Sequence, residues 1–352
     1  MDLKEIQKSA GAVFGNAGVV LDFGNDDRAL AAIENGVAIC DRSHWGLLKI
    51  TGEDRLRYLH NQSTNDFEKL KPGQGCDTVF VTSTARTLDL ATAYLTEDAV
   101  LVLVSPHRRE QLVAWLDRFI FPFDKVELSD ISAEKAIFSI FGSQSTDLLS
   151  ELATEEISVK NLGDNQPITI ADVSVRIAQG SGLATPGYTL IVDTEEAAVV
   201  WSKLTESATP FGDRLWEHLR IQQGRPIPDQ ELTEDYNPLE AGLWQTISFE
   251  KGCYIGQETI ARLNTYNGVK QKLWGIKLSQ SVAPQTPITL EDSKVGVLTS
   301  YTDTPDGSFG LGYIRTKAGG EGLEVKVGEA SGKLVAVPFI SHKGMGVSRS
   351  VD

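Results

Sequence analysis

The chain carries its most informative stretch at residues 251–262, which read Lys251-Gly252-Cys253-Tyr254-Ile255-Gly256-Gln257-Glu258-Thr259-Ile260-Ala261-Arg262. Glycines on both sides of the Cys-Tyr pair allow a tight backbone turn. Lys251 and Arg262 bring positive charge near the thiol of Cys253, and such charge favours the nucleophilic thiolate. On residue types alone, an ordinary buried thiol beside strand-ending glycines is the commoner outcome. Spacing by itself therefore leaves both interpretations open.

The same stretch resembles the signature of the YgfZ family, the folate-dependent relatives of the glycine-cleavage T-protein. The matching residues are Lys251, Gly252, Cys253, Tyr254, Gly256, Gln257, Glu258 and Arg262. Blocks that look like the T-protein superfamily are Cys40-Asp41-Arg42-Ser43-His44-Trp45-Gly46, Thr51-Gly52-Glu53-Asp54, Asn65-Asp66 and Asn237-Pro238-Leu239-Glu240-Ala241-Gly242-Leu243-Trp244. The resemblance therefore covers most of the chain.

This resemblance implies an α+β fold in which three domains form a ring around an opening that binds tetrahydrofolate. Two interleaved α+β subdomains are expected in residues 1–268, a C-terminal β-barrel in residues 269–342, and a flexible tail in residues 343–352. In the last third of the chain, Gly- and Asp-rich turns separate short β-like runs. This pattern of short strands and turns alone predicts either a small barrel or a sandwich.

Local patterns predict individual elements. Asn25 and Gly36 are expected to bound a helix. Three β-rich runs predict an antiparallel meander: Thr78–Thr82, Thr87–Leu95 and Ala99–Val104. A second α+β round is expected to contain strands at Ala136–Phe141, Ile168–Ile177 and Tyr188–Val192. The strands expected in the C-terminal part are Leu273–Leu278, Val295–Ser300, Phe309–Ile314, Leu323–Val327 and Leu334–Phe339.

Two positions depart from the T-protein pattern. The T-protein has an acidic pair beside the folate, and the matching residues here are Asp89 and Leu90. Leu90 cannot orient a water or a charge as a second carboxylate does, while Asp89 is either a ligand-facing acid or a solvent-facing one. In Arg220-Ile221-Gln222-Gln223-Gly224, Gln222 replaces a pterin-contacting Glu. A neutral acceptor is expected to weaken folate binding by about 1–2 kcal/mol.

The resemblance thus implies a set of functional residues. Cys253 and Asp89 are the candidate catalytic residues. A pterin edge needs carboxylate or amide partners, and an anionic glutamate tail needs Arg or Lys. The expected folate contacts are Gln222, Tyr188, Arg262, Lys251 and Tyr254. For Tyr254, packing in the core is an open alternative to stacking on the pterin.

Composition limits the remaining partners. A net charge of -15 argues against nucleic acid and membranes as direct partners. Three widely separated cysteines, Cys40, Cys76 and Cys253, argue against a disulfide scaffold and for a reducing compartment. The five histidines and three cysteines lack zinc-site or cluster-site spacing, so no stably bound metal is expected.

The leading hypothesis is a monomeric tetrahydrofolate-binding accessory protein in iron–sulfur cluster assembly or repair. Its partners are then folate and the iron–sulfur assembly machinery or client iron–sulfur proteins. The alternatives are a folate-dependent aminomethyltransferase or demethylase, and a folate sensor that binds a protein partner. Residues 263–271 resemble the cyanobacterial and chloroplast members, which implies bacterial cytoplasm or chloroplast stroma.

Overall fold

A computed structural model describes residues 2–266, 268–304 and 307–342. The chain divides into two compact units. The first comprises Met1–Tyr58, Lys69–Cys76 and Ala91–Leu219, and the second comprises Leu59–Glu68, Asp77–Leu90 and Arg220–Asp352. The expected tail at residues 343–352 lies outside the described residues. The expected domain division at residue 268 stays a prediction.

Helices and strands alternate through the first two thirds of the chain, and strands dominate the rest. The helices of the described residues are α1 (Leu3–Ser9), α2 (Asp26–Asn35), α3 (Arg55–Gln62), α4 (Arg109–Asp117), α5 (Ser145–Leu152), α6 (Ala197–Thr205), α7 (Asp213–Gln223) and α8 (Gln257–Thr265). The strands up to residue 211 are β1 (Val13–Phe14), β2 (Val20–Asp22), β3 (Ala38–Asp41), β4 (Gly46–Thr51), β5 (Gly75–Val81), β6 (Thr87–Leu95), β7 (Ala99–Val104), β8 (Glu127–Asp130), β9 (Lys135–Phe141), β10 (Asn165–Ile170), β11 (Val173–Gln179), β12 (Gly187–Asp193) and β13 (Thr209–Phe211). Those after residue 270 are β14 (Gln271–Leu278), β15 (Pro287–Leu290), β16 (Ser293–Thr304), β17 (Gly307–Arg315), β18 (Glu324–Val327) and β19 (Ala330–Val335).

The first unit is built on a six-stranded sheet with the order β10-β11-β12-β9-β3-β13. Its strands are antiparallel except for β13, which pairs parallel to β3. The buried side chains of α6, including Val200 and Trp201, pack in the apolar core of this sheet. The expected helix between Asn25 and Gly36 is confirmed as α2, with Asn25 as N-cap and Gly36 as C-cap.

The expected single strand at Ile168–Ile177 is wrong. The chain reverses at Ala171 and Asp172, and β10 pairs antiparallel with β11 on either side of them. Both turn residues have positive φ, at 51° and 63°. A two-residue hairpin turn needs such angles and usually takes Asn or Gly there. Because alanine at position 171 does not indicate a turn, the sequence pattern does not predict this hairpin.

The expected meander is confirmed in the five-stranded sheet, whose order is β5-β6-β7-β4-β8. The boundary between the two units falls inside β5 and β6. After β7 the chain forms a 3₁₀ turn at Pro106–Arg108 and then α4.

A closed six-stranded barrel forms the C-terminal part, with the order β14-β17-β16-β15-β18-β19. This confirms the expected α+β fold with a terminal barrel and excludes a sandwich. In β18 and β19 buried and exposed side chains alternate, as they must when one face of a strand meets the core. The expected strand Leu334–Phe339 is misplaced, because β19 begins at Ala330 and ends before Pro338, which has no N–H for the ladder.

A buried ion pair joins the end of α7 to the barrel within the second unit. Arg220 donates from Nη1 to Glu231 Oε2 at 2.9 Å, and both side chains are fully buried. Arg220 also donates from Nη2 to the hydroxyl of Ser300 in β16 at 2.9 Å. The other carboxylate oxygen of Glu231 accepts from the hydroxyls of Thr299 and Ser300, each at 2.6 Å. Every charged group in this network therefore has a partner, as a buried ion pair requires.

Replacing Glu231→Gln tests this network. The amide leaves the Arg220 charge uncompensated, so the free energy of unfolding should fall by about 3–5 kcal/mol. Urea denaturation measures the loss. The matched control is Glu53→Gln, whose exposed ion pair with Lys125 should contribute no more than about 1 kcal/mol. Equal losses for the two variants would contradict a structural role for the buried pair.

Candidate functional site

Residues 251–256 of the signature form a turn, here called the signature turn. Lys251 holds this turn by capping the C-terminal end of α3. Its ammonium donates to the carbonyl oxygens of His60, Ser63 and Asn65, the last two at 2.7 Å. An ammonium has three N–H donors, and these carbonyls take all three. The last carbonyls of a helix lack partners and carry partial negative charge. A buried cation is therefore tolerated here, and Lys251 is only 7% exposed.

Neighbouring contacts complete the cap. The N–H of Ile255 donates to the carbonyl of Asn61 at 3.0 Å, and the Ser63 hydroxyl donates to the carbonyl of Leu59 at 2.9 Å. The ring of Tyr254 lies beneath the Lys251 ammonium, with 4.6 Å between the nitrogen and the ring centroid. The turn is thus attached to α3 by main-chain and charged contacts together.

Tyr254 lies in a small apolar cluster with Leu239, Ile247 and Ile260. Burial raises the pKa of its hydroxyl. In the structure, Tyr254 packs in this cluster and makes a cation–π contact with Lys251. Stacking on a pterin stays a prediction.

Gly256 makes the step from the turn into α8. Its φ of 82° is left-handed, and a β-carbon there would lie 2.8 Å from the carbonyl oxygen of Thr82. Only glycine satisfies both conditions without strain. The conformation of the turn is therefore fixed at both ends, by Lys251 and by Gly256.

Between these fixed points the thiol of Cys253 is exposed. The other two cysteines differ from it: Cys76 is half-buried and Cys40 is buried. Burial raises the pKa of Cys40 well above its usual range, so this thiol is inert at neutral pH. Cys253 is the one exposed cysteine of the described residues.

Asp89 and Leu90, which match the acidic pair of the T-protein pattern, lie in β6. Leu90 is buried with Val79 and Ile221 in an apolar cluster. Successive strand residues point to opposite faces, and Asp89 therefore lies on the other face, fully buried. The reading of Asp89 as a solvent-facing acid is wrong. A contact between Asp89 and a ligand stays a prediction.

The remaining expected folate contacts differ in their surroundings. Gln222 is half-buried near the end of α7 in the second unit. Arg262 is exposed on α8, and no described residue forms a hydrogen bond or ion pair with its guanidinium. Tyr188 belongs to the first unit, where it is buried and shares a 2.8 Å hydrogen bond with the hydroxyl of Thr146. Gly252, Gln257 and Glu258 complete the signature at and after the turn.

Sequence reasoning missed His60. Its side chain is 5% exposed, and Nδ1 lies 3.1 Å from Oδ1 of Asp66. No spacing motif marks a lone histidine in Leu59-His60-Asn61. Only the fold brings this imidazole to the signature turn.

Among the described residues, no three His, Cys, Asp or Glu side chains are grouped so that they could hold a metal ion. The absence of a stably bound metal stays a prediction. None of the helices in the described ranges has the length and apolar character needed to cross a membrane.

Comparison with known proteins identifies the class. The GCVT N-terminal domain family matches residues 6–251. The crystal structure of the glycine cleavage system aminomethyltransferase T from Bartonella henselae superposes with a TM-score of 0.83 at 19% identity, over 96% of this chain and 97% of that one. The chain belongs to the GCVT family and has the aminomethyltransferase-like fold.

Individual relatives refine this picture. A chloroplastic protein of Arabidopsis thaliana, provisionally named a transferase, is 45% identical over 345 residues, which is 97% of this chain and 80% of that protein. An aminomethyltransferase of Halalkalibacterium halodurans is 27% identical over 341 residues, or 93% of each chain. Similarity to both extends along nearly the whole chain.

Replacing Lys251→Met tests the cap on α3. Three carbonyl oxygens lose a charged donor, so the free energy of unfolding should fall by about 3 kcal/mol. Amide hydrogen exchange should accelerate in residues 59–68, where the cap acts. Lys270→Met is the matched control, because Lys270 is exposed. If both variants lose the same stability, the proposed role of Lys251 is refuted.

Proposed function

We propose that this protein binds a reduced folate and assists the assembly or repair of iron–sulfur clusters, with Cys253 as its working thiol. The observation that carries the proposal is the contrast within the signature. Lys251 and Tyr254 are buried and hold the turn, whereas Cys253 between them is exposed. A cysteine that served only packing would be buried like its neighbours.

The chemistry of the turn suits transient use of a thiol. One accessible cysteine without other cysteine ligands nearby can donate to iron in a partner and release it again. A stable cluster usually needs four protein ligands. We therefore assign the iron–sulfur cluster to the client or assembly partner, and Cys253 to a brief contact with it.

The residues expected to contact folate fit that ligand in part. The amide of Gln222 both donates and accepts, which suits a pterin edge. The exposed Arg262 guanidinium suits an anionic glutamate tail. Lys251 does not fit a second charged contact well, because three carbonyls already use its donors. The folate assignment accordingly rests on family membership together with Gln222 and Arg262.

A folate-dependent aminomethyltransferase or demethylase is the second candidate. Similarity to the Halalkalibacterium halodurans aminomethyltransferase over 93% of the chain favours it. The apolar surroundings of Leu90 count against it, because an apolar side chain stands where the T-protein pattern has a second carboxylate to orient the reacting groups. Steady formation of methylenetetrahydrofolate from a methylamine-type donor would decide for this candidate.

The proposed setting follows from the relatives. Similarity to a chloroplastic protein supports chloroplast stroma, or the cytoplasm of a bacterium of cyanobacterial type. The proposed partners are folate and either the iron–sulfur assembly machinery or its client proteins, and the proposed form is a monomer.

Isothermal titration calorimetry with tetrahydrofolate, under anaerobic reducing conditions, tests folate binding. The protein should bind, and Gln222→Ala should weaken binding about fivefold, since one neutral hydrogen bond contributes about 1 kcal/mol. Gln280→Ala is the control, because Gln280 is an exposed barrel residue. Absence of binding heat with every reduced folate tested would remove folate from the proposal.

Genetic complementation tests the thiol. In a host that lacks its own copy of the gene, the wild-type chain should restore the activity of enzymes with four-iron clusters, and Cys253→Ala should not. Cys76→Ala is the matched control and should restore it. Full rescue by Cys253→Ala would exclude the thiol from the mechanism.

A further inference from the structure

A groove crosses the outer face of the C-terminal barrel, within the second unit. It spans four neighbouring strands in the order β15-β18-β19-β14. Its volume of about 690 Å³ is within the range of clefts that hold ligands. None of the expected folate contacts lies in it. The charged side chains that line this feature, here called the barrel groove, are Lys277, Glu291, Asp292, Glu324, Lys326 and Lys333.

Short hydroxyl side chains run across the middle of the barrel groove. Ser331 in β19 lies opposite Lys326 in β18, and Lys326 lies opposite Thr289 in β15. On the other side of Ser331, its N–H donates to the hydroxyl of Ser279 at 3.0 Å. Since serine and threonine are shorter than the lysines and glutamates around them, this row leaves a depression between longer charged side chains.

One side of the barrel groove contributes only positive charge. Lys277 in β14 lies directly opposite Lys333 in β19. Like charges directly opposite each other destabilise an antiparallel pair. Lys333 also lies opposite Glu324 in β18, yet neither lysine forms an ion pair with any residue that the structure describes. Two ammonium groups are therefore held side by side without a carboxylate of the chain to neutralise them.

The other side of the barrel groove is negative. Glu324 belongs to β18, and Glu291 and Asp292 form the turn between β15 and β16. Both turn residues have left-handed φ, at 47° and 63°, as a two-residue hairpin turn requires. The hairpin therefore sets both carboxylates at this edge of the groove. Three carboxylates outnumber the single ammonium of Lys326 here, and none of the four groups is ion-paired within the described ranges.

We propose that the barrel groove docks a segment of a partner protein that carries acidic side chains at one end and basic side chains at the other. Charge complementarity selects this occupant. Acidic side chains pair with the lysines of β14 and β19, and basic ones pair with the carboxylates of β18 and of the β15–β16 turn. The two sides are two strands apart, or about 10 Å, which an extended segment covers in about three residues.

The charge of the whole chain favours docking at this place. The chain has a net charge of -15, but residues 269–342 contain eight Lys and Arg against seven Asp and Glu. The acidic end of a partner segment is therefore repelled by most of the chain and accepted at the barrel. A wholly anionic segment would meet the carboxylates of the groove, and a wholly cationic one would meet its paired lysines.

Fluorescence anisotropy with the full chain tests the docking. The probe is a peptide of two aspartates, two glycines and two lysines, in that order, with a neutral fluorescent label. It should bind at low ionic strength and dissociate as salt is added, because exposed charges are screened. Peptides in which all four charged residues are aspartate, or all four are lysine, should bind about tenfold more weakly, since each places like charges against one side of the groove.

Charge inversion of the groove gives the sharper result. Lys277→Glu combined with Lys333→Glu should weaken binding of the mixed peptide about tenfold. Adding Glu291→Lys and Glu324→Lys to this double variant inverts the groove and should restore the affinity, because the same peptide then binds with its ends exchanged. Lys294→Glu is the matched control, since Lys294 is an exposed barrel residue outside the groove. Its affinity should equal that of the wild type.

Absence of binding by the mixed peptide, or equal affinity of the wild type and the Lys277→Glu, Lys333→Glu variant, would overturn the inference. Displacement of the peptide by inorganic phosphate, with no effect of Glu291→Lys and Glu324→Lys, would indicate a simple anion site and would also overturn it. If the thermal midpoint shows that an inverted variant is poorly folded, the three peptides compared on the wild type decide the question. The assay uses neither folate nor iron, so its outcome is independent of the proposed function.

Discussion

One buried ammonium organises the candidate site. Lys251 places its charge among carbonyl oxygens at the end of α3, where a helix leaves acceptors without partners. Since taking a charge out of water is costly, such a lysine is stable only with all its donors satisfied. The contact joins residues almost 190 positions apart in sequence. It fixes the turn that exposes Cys253 and the helix end that carries His60.

The same constraint separates the roles of neighbouring signature residues. Lys251, Tyr254 and Gly256 determine the conformation, while Cys253 and Arg262 remain at the surface. The second unit also differs from the T-protein pattern at two positions. Leu90 lies in an apolar cluster where that pattern has an acid, and Gln222 stands in place of a glutamate. The fold of the family is retained, and under the proposed function a single thiol takes the place of the paired carboxylates.

Much of the fold follows from the sequence because its signals are local. Asn25 and Gly36 flank the two ends of α2, and Gly- and Asp-rich turns separate the barrel strands. The hairpin at Ala171 and Asp172 was not predictable, because its left-handed turn lacks the usual glycine or asparagine. The signature was recognised from residue types at fixed spacing. The sequence did not predict which signature residues are buried and which are exposed, because Lys251 and His60 are distant in sequence and meet only in the folded chain.

The account depends on the anchored turn bringing its thiol to the folate. A crystal structure of the protein soaked with tetrahydrofolate, read for the position of the ligand relative to the Cys253 sulfur, tests this most directly. The account predicts a bound pterin in contact with Gln222 and a cavity onto which that sulfur opens. Folate bound elsewhere, with the Cys253 sulfur facing away from it, would contradict the account.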